Sequence, residues 1–207
     1  MCDAIFELDL VALLPALRQG GAVILSGVAI KVLDDYLDRR DWEDDRAAPA
    51  YALLALSAGV ALAPGLASSL FLAAYAVGML MDLDQRYPTG LAGWQEILIV
   101  VLGGLLLTGW REMLGSLALM VAVQSGDDLL DWTTDRTHGR LTMVNRLGFG
   151  ECVFLGLLAV AMALCLAPGK TALVAGAAGL IWCGERVLRG FRRRLADQGG
   201  REEGGPG

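Results

Sequence analysis

Residues Ile97–Trp110 read ILIVVLGGLLLTGW, a run with no charge and one hydroxyl, Thr108. A surface helix of a soluble protein carries one apolar stripe and a polar side opposite; a helix apolar all round is buried or membrane-embedded. The run belongs to a block from Gln95 to Trp110, and six more blocks flank it: Val11–Leu33, Pro49–Pro64, Gly65–Met81, Met113–Gly126, Phe149–Ala167 and Thr171–Leu188. A spanning helix needs about 20 apolar residues, and several blocks fall short alone. Only Ala63-Pro64-Gly65 splits the second from the third, and only Trp110-Arg111-Glu112 the fourth from the fifth. Such tight breaks suit helical hairpins whose ends extend into polar flanks.

Composition agrees. The 207 residues are 55% hydrophobic and 19% charged, against roughly 45–50% and about 25% in soluble domains. A formal net charge of −6 argues against a nucleic-acid binder. Cys2, Cys152, Cys165 and Cys183 form no CxxC pair and read as small hydrophobes. The opening MCDAIFELDL carries acids where a secretory signal carries basic residues, so no cleaved leader is expected. The expected fold is all-α: a polytopic transmembrane bundle of about seven spanning helices, one domain over residues 1–190 with a cytoplasmic, unfolded tail at 191–207.

Charge sets the orientation. If the helices alternate, Asp34–Ala48, Asp82–Trp94, Asp127–Gly148 and the tail after Leu188 share one face. Of 17 lysines and arginines, 14 lie on or near that face and only Arg18, Arg111 and Lys170 fall elsewhere. Basic residues gather in cytoplasmic loops, which puts the acidic clusters and the C-terminus inside the cell and the N-terminus outside. Arg18-Gln19 is a polar pair at membrane depth, facing a cavity or capping the outer end.

The chain repeats itself. Ile30-Lys31-Val32-Leu33-Asp34-Asp35-Tyr36-Leu37-Asp38 recurs in type as Val123-Gln124-Ser125-Gly126-Asp127-Asp128-Leu129-Leu130-Asp131. Four helices separate the copies, so both lie on one face as a parallel repeat. Asp127, Asp131 and Asp135 share a helical stripe, as do Asp34, Asp38, Asp41 and Asp45, with Asp35 beside Asp38. Like charges four residues apart destabilise a bare helix by a few tenths of a kcal/mol per pair, so a row of them calls for a cation. Oxygen-only sites suit Mg²⁺, which bridges carboxylates to phosphate oxygens. A solvated acidic loop at the membrane surface is the plainer alternative.

The run Asp127-x-x-x-Asp131-x-x-x-Asp135-Arg136-x-x-Gly139-Arg140-x-Thr142-x-x-x-Arg146-Leu147-Gly148 resembles the second aspartate motif of the UbiA family of intramembrane prenyltransferases. Asp34, Asp35 and Asp38 resemble the family's NDxxDxxxD. Trp42 stands where the last aspartate is expected, and Asp41 lies one residue early. Arg46 and Pro49 are similar to the basic loop that follows, and Gln85-Arg86-Tyr87-Pro88 to the family's Tyr/Lys/Arg loop. Spacing between the motifs fits, with the family's first and last helices missing.

That resemblance implies Mg²⁺-dependent transfer from a prenyl diphosphate to a lipophilic or aromatic acceptor, in contact with membrane lipid. Asp35, Asp38, Asp127 and Asp131 would be catalytic. Asp34, Asp35, Asp38, Asp127, Asp131 and Asp135 would hold metal, and Lys31, Arg46, Arg86 and Arg140 would bind diphosphate. Lys31 also reads as a snorkelling lysine, Arg140 as an inside anchor, and His138 as a bystander. Rival readings are a terpene cyclase or diphosphate lyase on the same fold, a soluble isoprenoid synthase, a divalent-cation transporter, and a non-catalytic lipid-binding descendant.

Overall fold

The computed structural model describes residues 2–38, 47–87, 89–130, 132 and 142–184. Every apolar block is a helix. In chain order they are α1 (Cys2–Asp38), α2 (Ala48–Leu62), α3 (Pro64–Gly78, continued by a 3₁₀ turn over Met79–Met81), α4 (Gly93–Thr108), α5 (Trp110–Leu130), a short α6 (Met143–Leu147), α7 (Phe149–Leu166) and α8 (168–184). Among the described residues four segments are long and apolar enough to cross a membrane: Leu13–Tyr36, Pro64–Met81, Trp110–Leu130 and Phe149–Leu166. With 15 and 16 residues, α2 and α4 reach only about 22–24 Å, short of a hydrocarbon core of about 30 Å. The tail at 191–207 lies outside the described residues.

Three helix pairs reverse direction over one residue each. Ala63 (φ −148°, ψ 87°) turns α2 into α3, and Ala167 (φ −153°, ψ 71°) turns α7 into α8. Both precede proline, whose ring disfavours the helical region for the residue before it. Leu62-Ala63-Pro64-Gly65 recurs as Leu166-Ala167-Pro168-Gly169, so the repeat seen in the acidic motifs extends to their hairpins. Each half runs helix, acidic cluster, helix, LAPG turn, helix. Between α4 and α5 the break is Gly109, at φ 87° and ψ 156°, a region that side-chain-bearing residues scarcely enter.

Small residues bring the helices together. A β-carbon on Gly59 of α2 would stand 3.2 Å from Ser26 Oγ and 3.3 Å from the Ala22 carbonyl oxygen of α1, which is backbone-to-backbone packing of the membrane kind. Val23, Leu70, Ala118, Leu119, Ala163, Val174 and Ala177 join α1, α3, α5, α7 and α8 in one core. The outer surface is apolar: Leu106 is 88% and Leu107 78% exposed on α4, with Phe154 and Leu157 on α7 similarly bare. Such a surface suits lipid rather than water.

Gly109→Ala is expected to cost about 1–3 kcal/mol and lower the thermal midpoint in detergent. Gly169→Ala, with open space around its β-position, should leave that midpoint within a degree or so of wild type.

Candidate functional site

The two acidic clusters meet at one cavity. A space of about 160 Å³ lies between α1, α3, α5 and α8. From α1 come Gly27, Ile30, Lys31 and Asp34; from α5 come Met120, Val123, Gln124 and Asp127, the same four positions of the repeat. Leu70, Ala74, Val77 and Gly78 of α3 are matched by Val174, Ala178, Ile181 and Trp182 of α8, at equal distances from the two LAPG turns. Val23, Ser26 and Ala177 complete the lining. The cavity therefore sits where the two halves of the repeat face each other.

Its polar end is electrostatically demanding. Asp34 and Asp35 stand toward the C-terminal end of the described part of α1, and Asp127 toward that of α5. The C-terminal end of a helix is its negative pole, equivalent to about half an electron charge. Each carboxylate thus adds to a field of its own sign. Within the first cluster Lys31 offsets this: its Nζ lies 3.3 Å from Asp35 Oδ1 and 4.0 Å from Asp34 Oδ2. An ammonium at the cavity rim, bracketed by carboxylates, can also meet an anion there.

Asp128, the neighbour of Asp127, does something different. It is 6% exposed; Oδ1 accepts from Gln124 Nε2 at 3.1 Å and Oδ2 from the Met143 backbone N–H at 2.7 Å. That second bond draws the start of α6 onto α5, bringing the two ends of the second motif's loop together. Thr142 caps α6 from Asn145 N–H at 3.3 Å. The pattern Asp-Asp hides this division of labour, in which one carboxylate faces the cavity and the next holds the backbone.

Among the described residues no three acidic, cysteine or histidine side chains stand close enough to hold a metal. Asp131, Asp135, Arg46, Arg140 and the side chain of Asp38 lie outside them. Asp34 and Asp127 are hard oxygen donors at one rim, and Mg²⁺ asks only one or two carboxylates of the protein when waters and phosphate complete its shell. The donor chemistry fits. Arg86 is exposed on a separate loop and does not line the cavity. That loop is tied by an Arg86–Ala92 bridge and by Glu96, which accepts from Tyr75 Oη at 2.5 Å and from Thr89 Oγ1. Burial and the carboxylates of Asp82 and Glu96 push the Tyr87 phenol up.

The opposite end of the bundle holds a cluster that sequence reasoning missed. Lys170, in the first turn of α8, is 7% exposed. Its Nζ donates to Ser116 Oγ at 2.6 Å, Glu112 Oε2 at 2.7 Å, Ser69 Oγ at 3.0 Å and the Glu112 carbonyl at 3.2 Å. α3, α5 and α8 are clamped together where all three begin. Arg18, the other stray cation on this side, donates to the Leu62 carbonyl at 3.0 Å and so caps α2 at its LAPG turn. Both fasten helix ends at the end of the bundle away from the acidic clusters.

Comparison finds no protein family, curated protein or solved structure that the chain matches.

Removing one partner of a buried ion pair leaves the other uncompensated. The two sides of this pair are unequal, because the Glu112 side chain is 46% exposed and that of Lys170 only 5%. Glu112→Ala strands a buried ammonium and is expected to cost about 3 kcal/mol. Lys170→Met strands a carboxylate that can turn to water, for about 1 kcal/mol. Thermal unfolding in detergent should rank them in that order.

Proposed function

We propose that the protein is a multi-pass membrane enzyme, a shortened prenyltransferase of the UbiA type, that ionises a prenyl diphosphate with Mg²⁺ and transfers the isoprenyl group to a lipophilic or aromatic acceptor. One observation carries the reading: Asp34 and Asp127, equivalent positions of the repeat, line the same apolar cavity. Their helix ends supply negative potential at the rim, and the walls below supply hydrocarbon. A site of that build suits an amphiphile with an anionic head bridged by a cation. Asp35, Asp38, Asp131 and Asp135 belong to the same carboxylate set, and Arg46, Arg86 and Arg140 to the basic loops that meet the head. The sorting of basic residues supports a cytoplasmic position for this end.

Bound Mg²⁺ supplies charge against the departing diphosphate. The chain's own residues do the rest. Asp34 and Asp127 fix the head from opposite halves, and the Lys31 ammonium orients its oxygens by charge-assisted hydrogen bonds. Ile30, Val123 and Ile181 keep water from the allylic carbon while it carries positive charge. A divalent-cation transporter would place its carboxylates near mid-membrane in broken helices; Asp34 and Asp127 stand at the ends of continuous ones.

Purified protein incubated with Mg²⁺ and labelled prenyl diphosphates should release pyrophosphate, and EDTA should stop it. Asp127→Asn and Asp34→Asn are each expected to slow release by about 10²–10³-fold. Release only with an acceptor marks a transferase; release without one marks a lyase or cyclase on the same site. Undiminished turnover in both variants would sink the proposal.

A further inference from the structure

The cavity is small and its floor is held. We infer that it admits a single isoprenyl unit, so that the donor is a C5 allylic diphosphate; this rests on the prenyltransferase reading above. Drug-sized ligand pockets run about 300–1,000 Å³, whereas this cavity is about 160 Å³. An apolar cavity of about 150 Å³ takes one benzene-sized group, which matches one isoprenyl unit and leaves no room for a second. Along α1 the lining runs from Asp34 to Val23, a rise of about 16–17 Å, and the diphosphate with its metal occupies the upper part of it.

The floor does not lead onward. Val23, Leu70 and Val174 are 3%, 2% and 5% exposed, so the lining ends in packed core. Nor is the floor free to sink. Leu70 adjoins Ser69, and Val174 lies one helical turn above Lys170, so the clamp at the outer end fixes both residues directly beneath the cavity. On the flank, α8 is pressed against the other helices: β-carbons on Gly27 and Gly126 would stand 2.9 Å from Ile181 Cδ1 and 3.3 Å from the Trp182 ring. A longer tail kept among these helices must displace one of these contacts.

The test is binding, which needs no acceptor. Full-length protein in detergent with Mg²⁺ is titrated with inorganic pyrophosphate and with non-cleavable thiolodiphosphates bearing C5, C10 and C15 tails. The C5 analogue should bind at least tenfold more tightly than pyrophosphate, with C10 and C15 no tighter than C5. Leu70→Ala, which deepens the floor, should tighten C10 at least fivefold relative to C5. Affinity that climbs with every added unit in the wild type overturns the length limit and leaves the prenyltransferase reading standing. So does a C5 tail that adds nothing to pyrophosphate, since the cavity then takes no isoprenyl group. Failure of pyrophosphate and all three analogues to bind sinks the diphosphate site itself. The wild-type series decides the matter even where Leu70→Ala does not fold.

Discussion

Two carboxylate-bearing helix ends pointed at one apolar cavity are an electrostatic problem that the rest of the molecule is arranged around. The acids stand where their helices are already negative, beside a hydrocarbon wall that screens poorly. Lys31 relieves the first cluster, and the backbone N–H of Met143 and the amide of Gln124 relieve Asp128. Both solutions are local. A divalent cation meeting Asp34 and Asp127 together would act across the cavity and couple the halves of the bundle. The same gathering of negative charge at the rim is what the proposed metal-bound anion would use.

The opposite end is built on the contrary principle. There a cation is buried among three helix beginnings, where the backbone field is positive, and Glu112 with two serine hydroxyls offsets it. Each N–H direction of the ammonium finds an acceptor, as a buried charge requires. A fully satisfied cluster of this kind leaves little to bind and much to hold. The Lys170 end is therefore tied helix to helix, and the packed core of Val23, Leu70 and Val174 lies between it and the acidic end.

Helix positions were legible because the apolar blocks lack a polar face, a signal that needs no partner to interpret. Number of crossings was less so: hydropathy marks where a chain avoids water, but α2 and α4 are too short to traverse a bilayer unaided. The acidic pair Asp34 and Asp127 was legible through spacing. Asp128 and Lys170 were not, since what distinguishes them is long-range: Met143 is 15 residues from Asp128, and Ser69 is 101 residues from Lys170. The repeated LAPG tetrapeptide was plain in the sequence and extends the duplication, yet its weight shows only once both copies are seen as one-residue hairpin turns. Arg86, matched by pattern, is exposed on a loop and is not among the residues that line the cavity.

Duplication also says where to look for direction. In a cavity lined by matching positions of two halves, whatever is symmetric can grip a ligand but cannot orient it. Most of the pairs are alike in character: Asp34 with Asp127, Ala74 with Ala178, Leu70 with Val174, Val77 with Ile181. Three are not. Gly27 pairs with Met120, and two further differences bear on direction: Lys31 pairs with the second half's Gln124, and Gly78 with Trp182. The first difference places a positive charge on one side of the rim, so an anionic head is drawn toward α1. The second fills one side with an indole and leaves the other bare, at an exposed glycine. For the proposed ligand, a head toward Lys31 and access past Gly78 is the orientation that these two departures from symmetry favour.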